Sequence, residues 1–214
     1  MLIEQIFLVG IDEKSNKISL DYKDYLFYGA IMMDLVLKDK ISISRRNLQI
    51  EILNQESTDN EILDKMLDLI NASKGNTTLI ETCSQFMKSS NKSDFRESIH
   101  SKLESTGVIK YLGKKRFKRR YQVTEPALKT QILNEINAVL IDNQEPTNEL
   151  TFLLSLLRIE SNFLKIIPKK LKKIAEKRII KLTIHESIGK EIRDYIERLK
   201  EEAQEALDDI FDDD

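Results

Sequence analysis

The chain is expected to be mainly α: a single compact helical domain with short N-terminal strands and a protruding basic β-hairpin. Three observations predict this. Only 6 Gly and 3 Pro punctuate 214 residues, too few for a turn-rich β sandwich. Most segments repeat apolar residues at helical spacing. One stretch, 108–123, alternates instead and is densely basic.

In chain order, residues 2–10 (LIEQIFLVG) read as a short strand or a helical start, followed by a turn over Asp12–Asn16. Residues 22–38 (YKDYLFYGAIMMDLVLK) are apolar nearly all round, which predicts a central helix. ISIS and LQIEIL alternate and should pair as two strands across Ser44–Asn47. Ser57–Glu61 supplies an N-cap region. The helix behind it sets Ile62, Met66, Leu69 and Ile70 on one face. Residues 78–88 repeat the pattern, and Ser93–Asp94 starts a helix carrying Phe95, Ile99 and Leu103 at four-residue spacing. Gly107 ends that helix, and 108–123 (VIKYLGKKRFKRRYQV) forms the hairpin. Pro126 opens an amphipathic helix with Ala127, Leu128, Ile132, Ile136 and Leu140. A buried helix over 149–167, a basic helix from Pro168 to about 182 and a last helix from about 186 complete a domain over 1–205. Residues 206–214 form an acidic tail expected to lack fixed structure.

Charge is segregated. The net charge of −2 hides basic clusters at 110–120 and 165–181 and an acidic C-terminal stretch with Asp208, Asp209, Asp212, Asp213 and Asp214. The lone Cys83 excludes an intrachain disulfide and sits among apolar neighbours, so it reads as a core residue in a cytoplasmic protein. No signal peptide is visible, and no stretch approaches the roughly 20 apolar residues of a membrane span, so membrane contact is expected to be peripheral.

Five segments, taken in order, resemble the Golgi phosphoprotein-three family: IFLVGIDEKSNKI, LFYGAIMMDLVLKDKI, ESTDNEILDKMLDLI, DFRESIHSKLESTGVIKYL and NELTFLLSLLRIESNFLKII. The resemblance spans about residues 4–200. It implies a mostly helical domain with an opening strand and a protruding hairpin. It also implies recognition of phosphatidylinositol 4-phosphate on the cytosolic face of membranes, the Golgi face in a eukaryotic host. Adaptor binding to cytoplasmic tails of membrane proteins is implied for eukaryotic members. The family's lipid pocket uses a Trp before the first core helix, a basic residue ahead of the helix glycine, and two basic residues one turn apart before the hairpin. This chain has no Trp and places Tyr28 ahead of Gly29. Arg96 matches the second of the pair, and Ser93 stands at the first with Lys92 beside it.

The hairpin tip carries the strongest physical signal. Lys114, Lys115, Arg116, Lys118, Arg119 and Arg120 fall within seven positions, interrupted by Phe117. Each cation near an anionic leaflet contributes roughly 1 kcal/mol, and an inserted Phe about 1.5–3 kcal/mol. Together that suits reversible docking on anionic lipid. The candidate lipid-binding residues are therefore Lys92, Arg96, Lys114, Lys115, Arg116, Phe117, Lys118, Arg119 and Arg120. The basic stretch 165–181 reads first as a solvated helix face, second as a contact for membrane or for the acidic tail. His100 and His185 read as surface or packing residues. No phosphate loop or metal spacing appears, so neither enzymatic activity, metal nor cofactor is expected. The rival reading is a winged-helix nucleic-acid binder with 114–120 as its wing. Against it, the would-be recognition helix mixes Asp94, Glu97 and Glu104 with Arg96 and Lys102.

Overall fold

The computed structural model describes residues 1–20, 23–44, 46–73, 77–115, 118–160, 167, 169–184 and 192–198. Helices dominate, as the spacing predicts. Leu2–Gly10 is α1, followed by the two-residue strands β1 (Ile11–Asp12) and β2 (Lys17–Ile18) and by α2 (Lys23–Leu37). Strands β3 (Ile41–Ile43) and β4 (Gln49–Ile52) pair antiparallel, and β5 (Thr77–Thr78) adds to β4. Between them lies α3 (Glu61–Asn71). Next come α4 (Leu79–Phe86), α5 (Ser89–Ser105), the hairpin strands β6 (Ile109–Lys115) and β7 (Lys118–Val123), α6 (Pro126–Leu140), α7 (Asn148–Leu157) and α8 (Lys172–Ile184). A further helical segment, α9, covers 192–198.

Residues 2–10 form a helix, not the strand that the resemblance implies. Leu2, Ile3, Ile6 and Phe7 are all buried, at helical spacing. The first free N–H groups of α1 find a carboxylate: those of Leu2 and Ile3 donate to Asp34 of α2 at 3.1 and 3.3 Å. The central helix α2 is apolar nearly all round because it is enclosed nearly all round, with ten consecutive residues, 26–35, buried. Gly29 is needed for this enclosure. A Cβ there would sit 2.5 Å from Ile196 Cδ1 and 2.8 Å from Leu156 Cδ2, so α9 and α7 approach α2 more closely than any side chain allows.

Capping residues fix several boundaries. Asn60 caps α3 by accepting from Ile62 and Leu63, and Thr78 and Glu81 form a reciprocal capping box on α4. At the end of α5, Gly107 has φ +72°. Its N–H donates to Glu104 O and that of Val108 to Leu103 O, a Schellman closure that turns the chain into β6. Pro126 stands at the start of α6.

Three boundaries differ from the sequence reading. Helix α5 begins at Ser89, one turn before Ser93, so Lys92 and Arg96 are not at its exposed N-terminal amides. Helix α7 stops at Leu157 with Arg158 as its C-cap, and 161–166 lie outside the described residues. The basic helix starts at Lys172, and Pro168 lies outside the described residues. On α6, Leu128 is exposed and Lys129 buried instead, its Nζ donating to Ile11 O at 2.6 Å. No helix among the described residues is long and apolar enough to cross a membrane.

Candidate anion-binding cleft

Phe7 of α1 organises the ground beneath the hairpin. Its ring lies 6.0 Å from Phe27 of α2, 5.3 Å from His100 of α5 and 5.2 Å from Tyr121 of β7. These contacts hold four elements around one point. The small hairpin β1–β2 is tied to the large one by the Tyr121 N–H, which donates to Asn16 O at 2.7 Å. Asn16 adopts φ +57° after a turn in which Asp12 accepts from the amides of Lys14 and Ser15.

Above this floor opens a cleft of about 680 Å³, walled by β2, the start of α2, α5 and the hairpin. Among the described residues six cations line it, Lys17, Lys23, Arg96, Lys114, Lys118 and Arg119, and no carboxylate does. They converge for local reasons. Lys17 follows the turn at Asn16. Lys23 stands one helical turn before Phe27. Ser93, Arg96 and His100 share one face of α5. Lys114 and Arg119 face each other across β6 and β7, after an irregularity at Gly113, φ +82°, that turns the strand.

Two of the cations are held by acids behind the wall. Arg96 Nε donates to Asp24 Oδ1 at 2.7 Å, and Nη2 donates to Oδ2, a bidentate pair. Arg119 donates to Glu97 Oε2 at 2.8 Å and also meets His100 Nδ1. That contact makes Nδ1 the acceptor, so Nε2 carries the proton and donates to the Tyr121 hydroxyl, 2.8 Å away. Burial, reinforced by the Arg119 charge, pushes His100 down to about 4, so the ring stays neutral beside the guanidinium. The hydrogen bond from Arg119 holds Glu97 below the usual carboxylate range. Lys17, Lys23, Lys114 and Lys118 have no ion-pair partner among the described residues and present free ammonium groups to the cleft.

Of the sequence-derived candidates, Arg96, Lys114, Lys118 and Arg119 come together in the cleft. Lys92 lies partly buried on α5 away from the cleft wall. Lys115 is exposed on the hairpin opposite Lys118. Arg120 turns back to Leu112, donating to its carbonyl at 3.4 Å. Arg116 and Phe117 lie outside the described residues. Tyr28 is fully buried and donates to Leu79 O at 2.7 Å, so the position ahead of Gly29 faces the core. Lys17 and Lys23 were not found from sequence. The available signal was weak: a lysine one turn ahead of the only Phe of α2, and one after a left-handed turn residue. His100 is the packing residue expected; His185 lies outside the described residues. Cys83 is buried, its thiol pushed up to about 12 by burial.

The fold is a mainly helical one that sets a basic cleft beside a β-hairpin. The family model for Golgi phosphoprotein 3 (GPP34) matches residues 2–207, and the chain belongs to that family, whose members are membrane-associated, non-enzymatic trafficking proteins. No curated protein matches the chain in sequence.

Proposed function

We propose that the chain docks on anionic membranes by taking a phosphorylated lipid head group into the cleft, with phosphatidylinositol 4-phosphate the ligand suggested by the resemblance. One observation carries this reading: six cations from five elements face one open cleft that no carboxylate lines among the described residues. Four of them are lysines with no ion-pair partner among the described residues, which bind phosphate as point charges, and two are arginines pre-set by Asp24, Glu97 and His100. The head group is held at the cleft while Phe117 at the hairpin tip enters the acyl boundary. An adaptor role toward cytoplasmic tails of membrane proteins is compatible with this docking.

The nucleic-acid reading gains no support from α5. Asp94, Glu97 and Glu104 are exposed on it, and Phe95, Ile99 and Leu103 bind it into the core. Flotation on vesicles of phosphatidylcholine alone, with phosphatidylserine, and with phosphatidylinositol 4-phosphate tests the proposal, with duplex DNA as competitor. Binding should require anionic lipid, be strongest with the phosphoinositide and weaken with salt. Tighter binding to duplex DNA than to acidic vesicles at matched salt would overturn it.

A further inference from the structure

The inner side of α8 is settled: Ala175, Ile179 and Thr183 are buried. Its outer side is unusual. Lys173, Ile174, Lys177, Ile180 and Lys181 follow the i, i+1, i+4, i+7, i+8 spacing that normally marks a packed face. At 3.6 residues per turn they share an arc of roughly 120°. Yet all five are exposed, Ile174 to 52 % and Ile180 to 45 %. Lys170 extends the stripe, and Glu176 flanks it. Among the described residues none of these lysines has an ion-pair partner; the arginine on this helix that has one, Arg178, pairs with Glu145 on the other side.

We propose that this stripe is a docking surface for the chain's own acidic segment 208–214. Pattern and charge are complementary. The segment reads Asp208-Asp209-Ile210-Phe211-Asp212-Asp213-Asp214, two apolar side chains enclosed by aspartates, against two isoleucines enclosed by lysines. The reach is sufficient. Arg193 Nη1 donates to Thr183 O at 3.0 Å, which sets the beginning of α9 against the end of α8. Residue 198 stands about 7.5 Å further along a helix. The ten residues 199–208 span up to about 33 Å, and the stripe from 173 to 181 is only about 12 Å long. A tether this short gives an effective concentration near the millimolar range, so a contact that is weak between separate molecules is populated within one. The bound segment shields the stripe from other polyanions, including a membrane surface. The docking itself does not depend on what the cleft binds.

Zero-length carbodiimide coupling of the full chain, followed by peptide mapping, tests this. Amide links from Asp208–Asp214 to Lys173, Lys177 or Lys181 are expected in the monomer, at a yield independent of protein concentration. The yield should fall about fivefold at 1 M salt, where the screening length is about 3 Å. Lys173→Glu with Lys177→Glu should abolish the links to those positions, and adding Asp212→Lys with Asp213→Lys should restore coupling with reversed polarity. Links only between two molecules, links to Lys114 or Lys118 of the cleft in their place, or none at all would overturn the proposal. So would a stripe variant that loses vesicle binding while the wild type shows no links, because the stripe would then be a membrane contact.

Discussion

Asp34 and Leu2 meet where two helices cross: the Leu2 N–H at the start of α1 donates to the Asp34 carboxylate of α2 at 3.1 Å. The carboxylate is 4 % exposed, and burial raises it to about 6, with the amides of Leu2 and Ile3 and the terminal ammonium pulling the other way. His100, at the cleft floor, is shifted in the opposite sense, to about 4.

These two groups predict opposing pH slopes. Between about pH 4 and 6 folded Asp34 holds a proton that the unfolded chain releases, so its contribution to stability falls as pH rises. From 6.5 down to about 4 unfolded His100 gains a proton that the folded ring refuses, so its contribution falls as pH drops. Each amounts to something of order 3 kcal/mol, and they nearly cancel. In urea titrations, Asp34→Asn should therefore be more stable at pH 6.5 than at pH 4.5 by a larger margin than the wild type. His100→Gln should show the reverse slope. Parallel profiles for all three proteins would contradict the assignment.

Arg96 and Lys92 stand one turn apart and should behave differently. Arg96→Ala is expected to weaken binding to phosphoinositide vesicles about tenfold, near 1.4 kcal/mol, because it removes a cleft cation and leaves Asp24 unpaired beside the cleft. Asp24→Ala added to it should recover part of the loss. Lys92→Ala should change binding less than twofold. Equal losses from Arg96 and Lys92 in the same flotation assay would mean that the cleft is not the lipid site.

The unpaired lysines should carry the salt dependence. Lys23→Ser with Lys118→Ser is expected to lower vesicle affinity and to flatten its dependence on ionic strength, with little change in melting temperature, since neither side chain is buried. Phe117→Ser should lower vesicle binding about tenfold while keeping the wild-type salt slope. An unchanged slope in the lysine pair would show that these cations do not face the ligand.

Gly107→Ala should cost about 1 kcal/mol, the ordinary penalty of a left-handed residue with a Cβ. A Cβ at this position meets no atom within 4 Å, so conformation alone is tested. Gly29→Ala meets side chains at 2.5 and 2.8 Å and should cost more, about 1–3 kcal/mol of overpacking. Chemical denaturation that ranked the two in the opposite order would argue against the close approach of α9 to α2.

What was legible in the sequence was periodic or locally signalled. The all-round apolar α2, the stop at Gly107, the Pro126 start and the alternating hairpin each follow from neighbouring residues. The start of α5 was not legible, because Ser89, Ser90 and Asn91 are indifferent helix formers and Lys88 supplies no side-chain cap. The end of α7 was hidden because the apolar run continues past Leu157. Four of the six cleft cations were legible, Lys114, Lys118 and Arg119 because they are dense in sequence and Arg96 through the family resemblance. The other wall was not, because Lys17 and Lys23 are isolated lysines brought to the hairpin by long-range bonds such as Tyr121 N–H to Asn16 O.

The contact at Gly29 also sets when the protein can be completed during synthesis. Helix α2 leaves the ribosome early, yet the side chains closing over it, Leu156 and Ile196, are made more than a hundred residues later. Until residue 196 emerges, the central helix α2 keeps an uncovered side. A nascent chain stalled before this point should expose that surface and recruit chaperones, whereas release of α9 should end the exposure in one cooperative step.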